Sequence, residues 1–119
     1  MLRNVRAVTL ACCLAFISSA VAAEPDVAAI EDAVRMQLKD PESALFESIR
    51  TTTDESGAMY ACGFVNSKNS YGGYVGRTPF LVRQAKGSRS YSAFIAQNSQ
   101  ARQQVLRTCR ERGLRIAFW

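Results

Sequence analysis

The 119-residue chain contains no histidine. That excludes Ser/His/Asp and Cys/His nucleophile arrangements and most zinc sites, which need imidazole as base or ligand. Cysteine is scarce as well: Cys12 and Cys13 stand in an N-terminal apolar run, and beyond it only Cys62 and Cys109 occur. These two lack the two-residue spacing of a redox-active dithiol. No second apolar run, internal repeat, low-complexity tract or domain-scale linker follows residue 23. A Gly-Lys-Ser/Thr phosphate loop is also missing. Asp54 and Glu55 form the one carboxylate pair of note, and on a polar turn such neighbours are better explained as turn residues than as hydrolytic groups. No catalytic residue, metal ligand or cofactor site is assigned.

Acidic charge is nearly absent from the second half. From Met59 onward Glu111 stands against ten lysines and arginines, whereas residues 24–58 hold nine carboxylates against Arg35, Lys39 and Arg50. Such a dipolar chain suits a polyanion, an anionic surface or a charged protein partner, or else an acidic helix lying beside a basic one within the fold. Nucleic acid is not expected as a partner, because the arginines fall on an amphipathic helix without aromatic interleaving on a sheet.

What is present begins with a targeting pattern. Arg3 and Arg6 precede the apolar run Val8 to Ile17, and Ser18 to Ala23 provides small residues at a cleavage site. A cut after Ala22 or Ala23 leaves one domain, residues 24–119, in the periplasm or secreted. The apolar core is shorter than the ~20 residues a bilayer span needs, so no stable membrane span is expected after cleavage. In an oxidising compartment Cys62 and Cys109 are expected to pair as a disulfide.

The mature chain reads as α+β: an N-terminal helix, an antiparallel sheet of about four strands, and a C-terminal helix packed on one face and stapled by the disulfide. Asp26 is placed to cap a helix whose stripe is Val27, Ile30, Val34 and Leu38, ending at Pro41. A short helical turn from Pro41 then presents Ala44, Leu45 and Phe46 to the core. Phe46 to Thr53 and Met59 to Val65 or Asn66 form a hairpin across the Asp54 to Gly57 turn. The second strand is expected to be half-buried, with Tyr60, Cys62 and Phe64 on the face that the helices cover. Thr78 to Gln84 and Ser90 to Ala96 supply two further strands, the last carrying Phe94. A helix from Asn98 or Ser99 runs to Gly113, with Val105 and Cys109 inward and Arg102, Arg107, Arg110 and Arg112 largely outward. The tail alternates Leu114, Ile116 and Phe118 as an edge strand or an apolar cover, and Phe118-Trp119 is a packed pair or a recognition tag.

Between the second and third strands lies the stretch that looks chosen for more than folding. Gly72, Gly73 and Gly76 permit positive φ and close backbone approach, while Asn66, Lys68, Asn69, Tyr71, Tyr74 and Arg77 offer amide, cationic and stacking groups. Two readings stand side by side. In one the loop binds a partner protein or an envelope glycan; in the other its glycines make turns, its asparagines bond the local backbone and its tyrosines cap the core.

Two motifs are fairly specific. Lys39-Asp40-Pro41-Glu42-Ser43-Ala44-x-Phe46, followed by Cys62-Gly63-x-Val65-Asn66-x-Lys68-Asn69-x-x-Gly72-Gly73-Tyr74-x-Gly76, resembles a recurring family of small exported proteobacterial proteins with no associated activity or ligand. The resemblance covers about half of the mature chain and implies that the Asp-Pro turn, Cys62 and the glycine-rich loop form one unit. The expected function is a non-catalytic binding or interaction module. An inhibitor or immunity-type protein that blocks an enzyme with the loop is the alternative, and a small hydrolase built on Asp54 and Glu55 is a third.

Overall fold

The computed structural model describes residues 24–116. The expected leader, its cut and the Phe118-Trp119 pair lie outside the described residues. Helix α1 (Val27–Arg35) leads through a 3-10 turn (Pro41–Ser43) to strands β1 (Leu45–Thr53), β2 (Met59–Asn66), β3 (Thr78–Gln84) and β4 (Ser92–Ile95), and helix α2 (Ser99–Glu111) closes the order. All neighbouring strands are antiparallel and the sheet runs β1-β2-β3-β4. The expected α+β class and its strand count are therefore observed.

Local side chains start both helices. Asp26 Oδ1 accepts from the Ala29 amide at 3.1 Å, and Asn98 Oδ1 accepts from the Ala101 amide at 2.8 Å, each satisfying an orphan first-turn donor. Helix α1 stops at Arg35, short of Pro41. The Gln37 and Leu38 amides bond to the Val34 and Arg35 carbonyls, tightening the chain into i+3 turns that still bring Leu38 onto the core. Helix α2 ends in a Schellman motif, with Gly113 at φ 76° and the amides of Gly113 and Leu114 on the carbonyls of Arg110 and Cys109. That reversal drives Leu114 back beside Cys109, so residues 114–116 act as an apolar cover.

The sheet is covered on both faces, which corrects the expectation of a half-buried β2 under helices on one side. Tyr60 and Cys62 face Val105, Cys109 and Leu114 of the α2 layer. Ala61, Val65, Phe80 and Val82 face Ile30 and Val34 of α1. The acidic and basic helices thus lie on opposite faces. Charge from the two halves meets elsewhere: Glu47 with Arg77 at 2.9 Å and Asp54 with Arg112 at 3.4 Å. Leu45 is 54% exposed instead of entering the core, and Phe94 is likewise about half exposed on β4. Arg102, expected outward, turns its Nη2 onto the Arg77 carbonyl at 3.0 Å.

Two features fix the centre of β2. The disulfide joins Cys62 to Cys109, both fully buried, with their Cα atoms 6.2 Å apart. One residue further on, Gly63 is paired with Phe80 of β3, while on the β1 side the register shifts between Glu47 and Arg50. Ser48 lies in that bulge at φ 56°. A Cβ at Gly63 would come within 2.9 Å of the Phe80 ring and 3.2 Å of the Glu47 carbonyl, so only glycine fits.

Candidate functional site

The Asn66 to Arg77 stretch folds as a miniature hairpin. Lys68 and Tyr74 form an antiparallel bridge, the Asn69 amide donates to the Gly73 carbonyl at 2.8 Å, and the Val75 amide donates to the Ser67 carbonyl at 3.1 Å. Gly72 closes the tip at φ 80° and Gly76 turns the chain out at φ 94°, a region that glycine enters without strain.

Asparagine side chains brace it from within. Asn69 Oδ1 accepts from the amides of Tyr71 and Gly73, and Asn66 Oδ1 accepts from the Gly76 amide at 2.9 Å. Because the Gly72 amide is also bonded, to the Asn69 carbonyl, the backbone donors that an anion nest would offer are already used. The hairpin is also tied to the 3-10 turn. Ser43 Oγ donates to the Asp40 carbonyl and accepts from the Lys68 amide, both at 2.8 Å, while Tyr74 Oη donates to the Ser43 carbonyl at 3.2 Å.

At the exit Arg77 belongs to the mount. Its guanidinium lies 4.4 Å from the Phe64 ring centroid, and its buried Nε sits 2.9 Å from Glu47 Oε2. That approach is ionic, since no acceptor lies in line with the Nε–H. Of the expected binding residues, then, Asn66, Asn69, Gly72, Gly73 and Arg77 build the hairpin. Lys68, over the Tyr74 ring at 5.6 Å, stands at its edge. Tyr71 is at the tip, 97% exposed, with Tyr74 and Val75 about half exposed behind it. In the sequence Ser43 stands within a motif without a role of its own. The hint was a serine two residues after a helix-opening proline, where its hydroxyl is free to bond outside the turn.

Asp54 and Glu55 sit far along the sheet at the β1–β2 turn. Asp54 accepts from the Ser56 hydroxyl at 2.6 Å and from the amides of Ser56 and Ala58, and it faces Arg112. The Ser56 hydroxyl is the main reason its carboxyl is held below the ordinary aspartate value; desolvation, the next largest effect, opposes it, and the Ala58 and Ser56 amides and the Arg112 charge each add a smaller lowering. A depressed folded pKa contributes stability that is present above the ordinary aspartate pKa, about 4, and is lost as pH falls through the lower folded value. In acid titrations followed by thermal melts, the difference between wild type and Asp54→Asn should therefore be full at neutral pH and shrink below about pH 4. A difference independent of pH would remove the carboxylate from the turn's stability.

The fold and this site define a small disulfide-bonded α+β domain that carries a braced, protruding hairpin. No protein-family model matches the chain, and no curated protein or solved structure is significantly similar to it.

Proposed function

We propose that the chain is an exported, non-catalytic binding module whose hairpin contacts a partner protein through Tyr71 and Tyr74. The carrying observation is a tyrosine 97% exposed at the tip of a loop that is otherwise bonded down at every turn. Tyrosine supplies a large amphipathic contact at low entropic cost, and a rigid mount lowers the cost of ordering on binding. Export to the periplasm or medium, after cleavage following Ala22 or Ala23, is supported by a fully buried disulfide, a bond that persists in oxidising compartments. Among the described residues no helix is long and apolar enough to cross a membrane.

An envelope glycan is the other occupant of this surface, since tyrosine faces stack on sugar rings. A protruding tip favours a protein, because small-ligand sites are concave. The same shape suits insertion into a partner's cleft, and where that cleft is an active site the module is an inhibitor. Asp54, bonded to its own turn, gives a hydrolase reading little support.

The test places a photo-crosslinking side chain at the exposed position of Ser70, beside the tip tyrosine, in producing cells and compares partner capture with and without the Tyr71→Ala, Tyr74→Ala double substitution. Together an anchoring pair of this kind is worth about 2 kcal/mol, so capture should fall roughly 30-fold, with the crosslink competed by excess wild-type protein. Tyr71→Ala alone should leave the melting temperature unchanged, whereas Tyr74→Ala should cost about 1 kcal/mol through its bond to Ser43. Undiminished capture by the double variant would leave the hairpin a structural connection only.

A further inference from the structure

Strand β4 lies at the end of the sheet and is bonded on one side only, to β3. The Ala96 amide donates to the Pro79 carbonyl at 3.0 Å, and that bond fixes the alternation along the strand. Ser92 and Phe94 direct their amides and carbonyls at Arg83 and Leu81, whereas those of Ala93 and Ile95 point away from the sheet. Among the described residues nothing bonds to that outward row. A groove of about 330 Å³ runs beside it, bounded by Gln37 after α1, by Phe94, Ile95 and Gln97, and by Ala101 of α2. None of the described residues that line it is charged. Phe94, which faces Leu81 on the α2 side of the sheet, leaves half of its ring in the open there.

Open backbone groups beside an uncharged groove are what strand addition uses. Charge and symmetry choose the occupant. The chain has net charge +5, yet from Ser90 to Ala101 it holds no charged residue. In a two-fold contact each group near the axis faces its own copy, so charges there would repel and an uncharged patch is self-complementary. We propose that β4 pairs antiparallel with β4 of a second copy. The register that satisfies both outward residues within the strand centres the axis on Phe94. Ala93 of each copy then exchanges hydrogen bonds with Ile95 of the other, and the two Phe94 form the intervening non-hydrogen-bonded pair, where facing Cα atoms lie ~4.5 Å apart. The half-exposed rings cover each other. Pairing consumes both β4 edges, so it closes at the dimer. With four residues in the strand the interface is small, and the dimer is a transient one with a Kd of ~10–100 µM. The contact uses neither Tyr71 nor the hairpin tip, so it stands independently of the partner contact proposed above.

The experiment follows sedimentation of the disulfide-intact protein from ~1 µM to ~1 mM, with amide exchange read by NMR over the same range. Wild type should pass from monomer to dimer. As it does, the Ala93 and Ile95 amides should gain protection, while those of Ser92 and Phe94, already bonded to β3, stay as they were. Phe94→Lys and Phe94→Glu should each weaken self-association about 10-fold, and an equimolar mixture of the two should associate more tightly than either alone, because unlike charges then face each other across the axis. Position 94 is half exposed, so both variants should melt within a few degrees of wild type. Tyr71→Ala should leave the dimer unchanged. A protein still monomeric at about 1 mM, a dimer that Phe94→Lys leaves intact, a mixture that associates no better than its components, or protection gained elsewhere than at Ala93 and Ile95 would each overturn the pairing.

Discussion

Replacing Cys62 and Cys109 together by alanine lowers the stability of the domain by about 4 kcal/mol, which for a domain of this size is a fall in melting temperature of roughly 15–30 °C. The figure follows from the sequence separation of 47 residues: without the crosslink the unfolded chain regains the freedom of a long loop. It is a large share of the ~5–15 kcal/mol by which a whole domain is stable. The loss should fall first on α2, whose attachment to the sheet otherwise rests on Val105, Leu114 and a few half-buried neighbours. Thermal melts with and without reductant measure it. Reductant should bring wild type down towards the variant and leave the variant where it was. A variant melting within a few degrees of wild type would show that packing alone holds α2.

Phe80→Ala is the second large effect, about 3–5 kcal/mol by chemical denaturation. The ring is fully buried, packs edge-on against Phe46 with centroids 5.9 Å apart, and lies across Gly63. Its removal empties the α1-facing core and uncovers the glycine backbone at once. The opposite error, Gly63→Ala, forces a methyl into the ring and should cost about 1–3 kcal/mol in wild type. In a Phe80→Leu background that cost should shrink, because the obstructing ring edge is gone. The resulting coupling, read from a double-mutant cycle, should exceed ~0.5 kcal/mol. Strictly additive costs would mean that the Glu47 carbonyl, 3.2 Å from the same position, is the true obstacle.

Much of this architecture was legible because it is written in short-range chemistry. The Asp26 and Asn98 caps, the Asp54 to Gly57 turn and the helix stop at Gly113 all rest on a side chain or a glycine acting within a few residues of itself. The cysteine pair followed from compartment and from the inward positions of Cys62 and Cys109. Burial of both faces of β2 was not legible. Ala61 and Gly63 are too small to advertise a core, and what covers them comes from Ile30 and Phe80, distant in sequence. The loop's ambiguity has a similar origin. An asparagine that bonds a ligand and one that bonds its own backbone are the same residue until the pairing of Lys68 with Tyr74 sets the register. Once it is set, Asn66 and Asn69 face inward to the backbone and Tyr71 remains outside.

The irregularity in β1 bears on how the domain keeps to itself. β1 is an outer strand of the sheet and nine residues long, long enough to serve as a template on which a second chain could lay another strand. The break between Glu47 and Arg50, with Ser48 turned to positive φ, divides its outward row of donors and acceptors into two short pieces that no longer point the same way. A domain that must fold beside other exposed strands gains from such an interruption. It can close its own sheet while offering its neighbours no straight edge along β1 to extend.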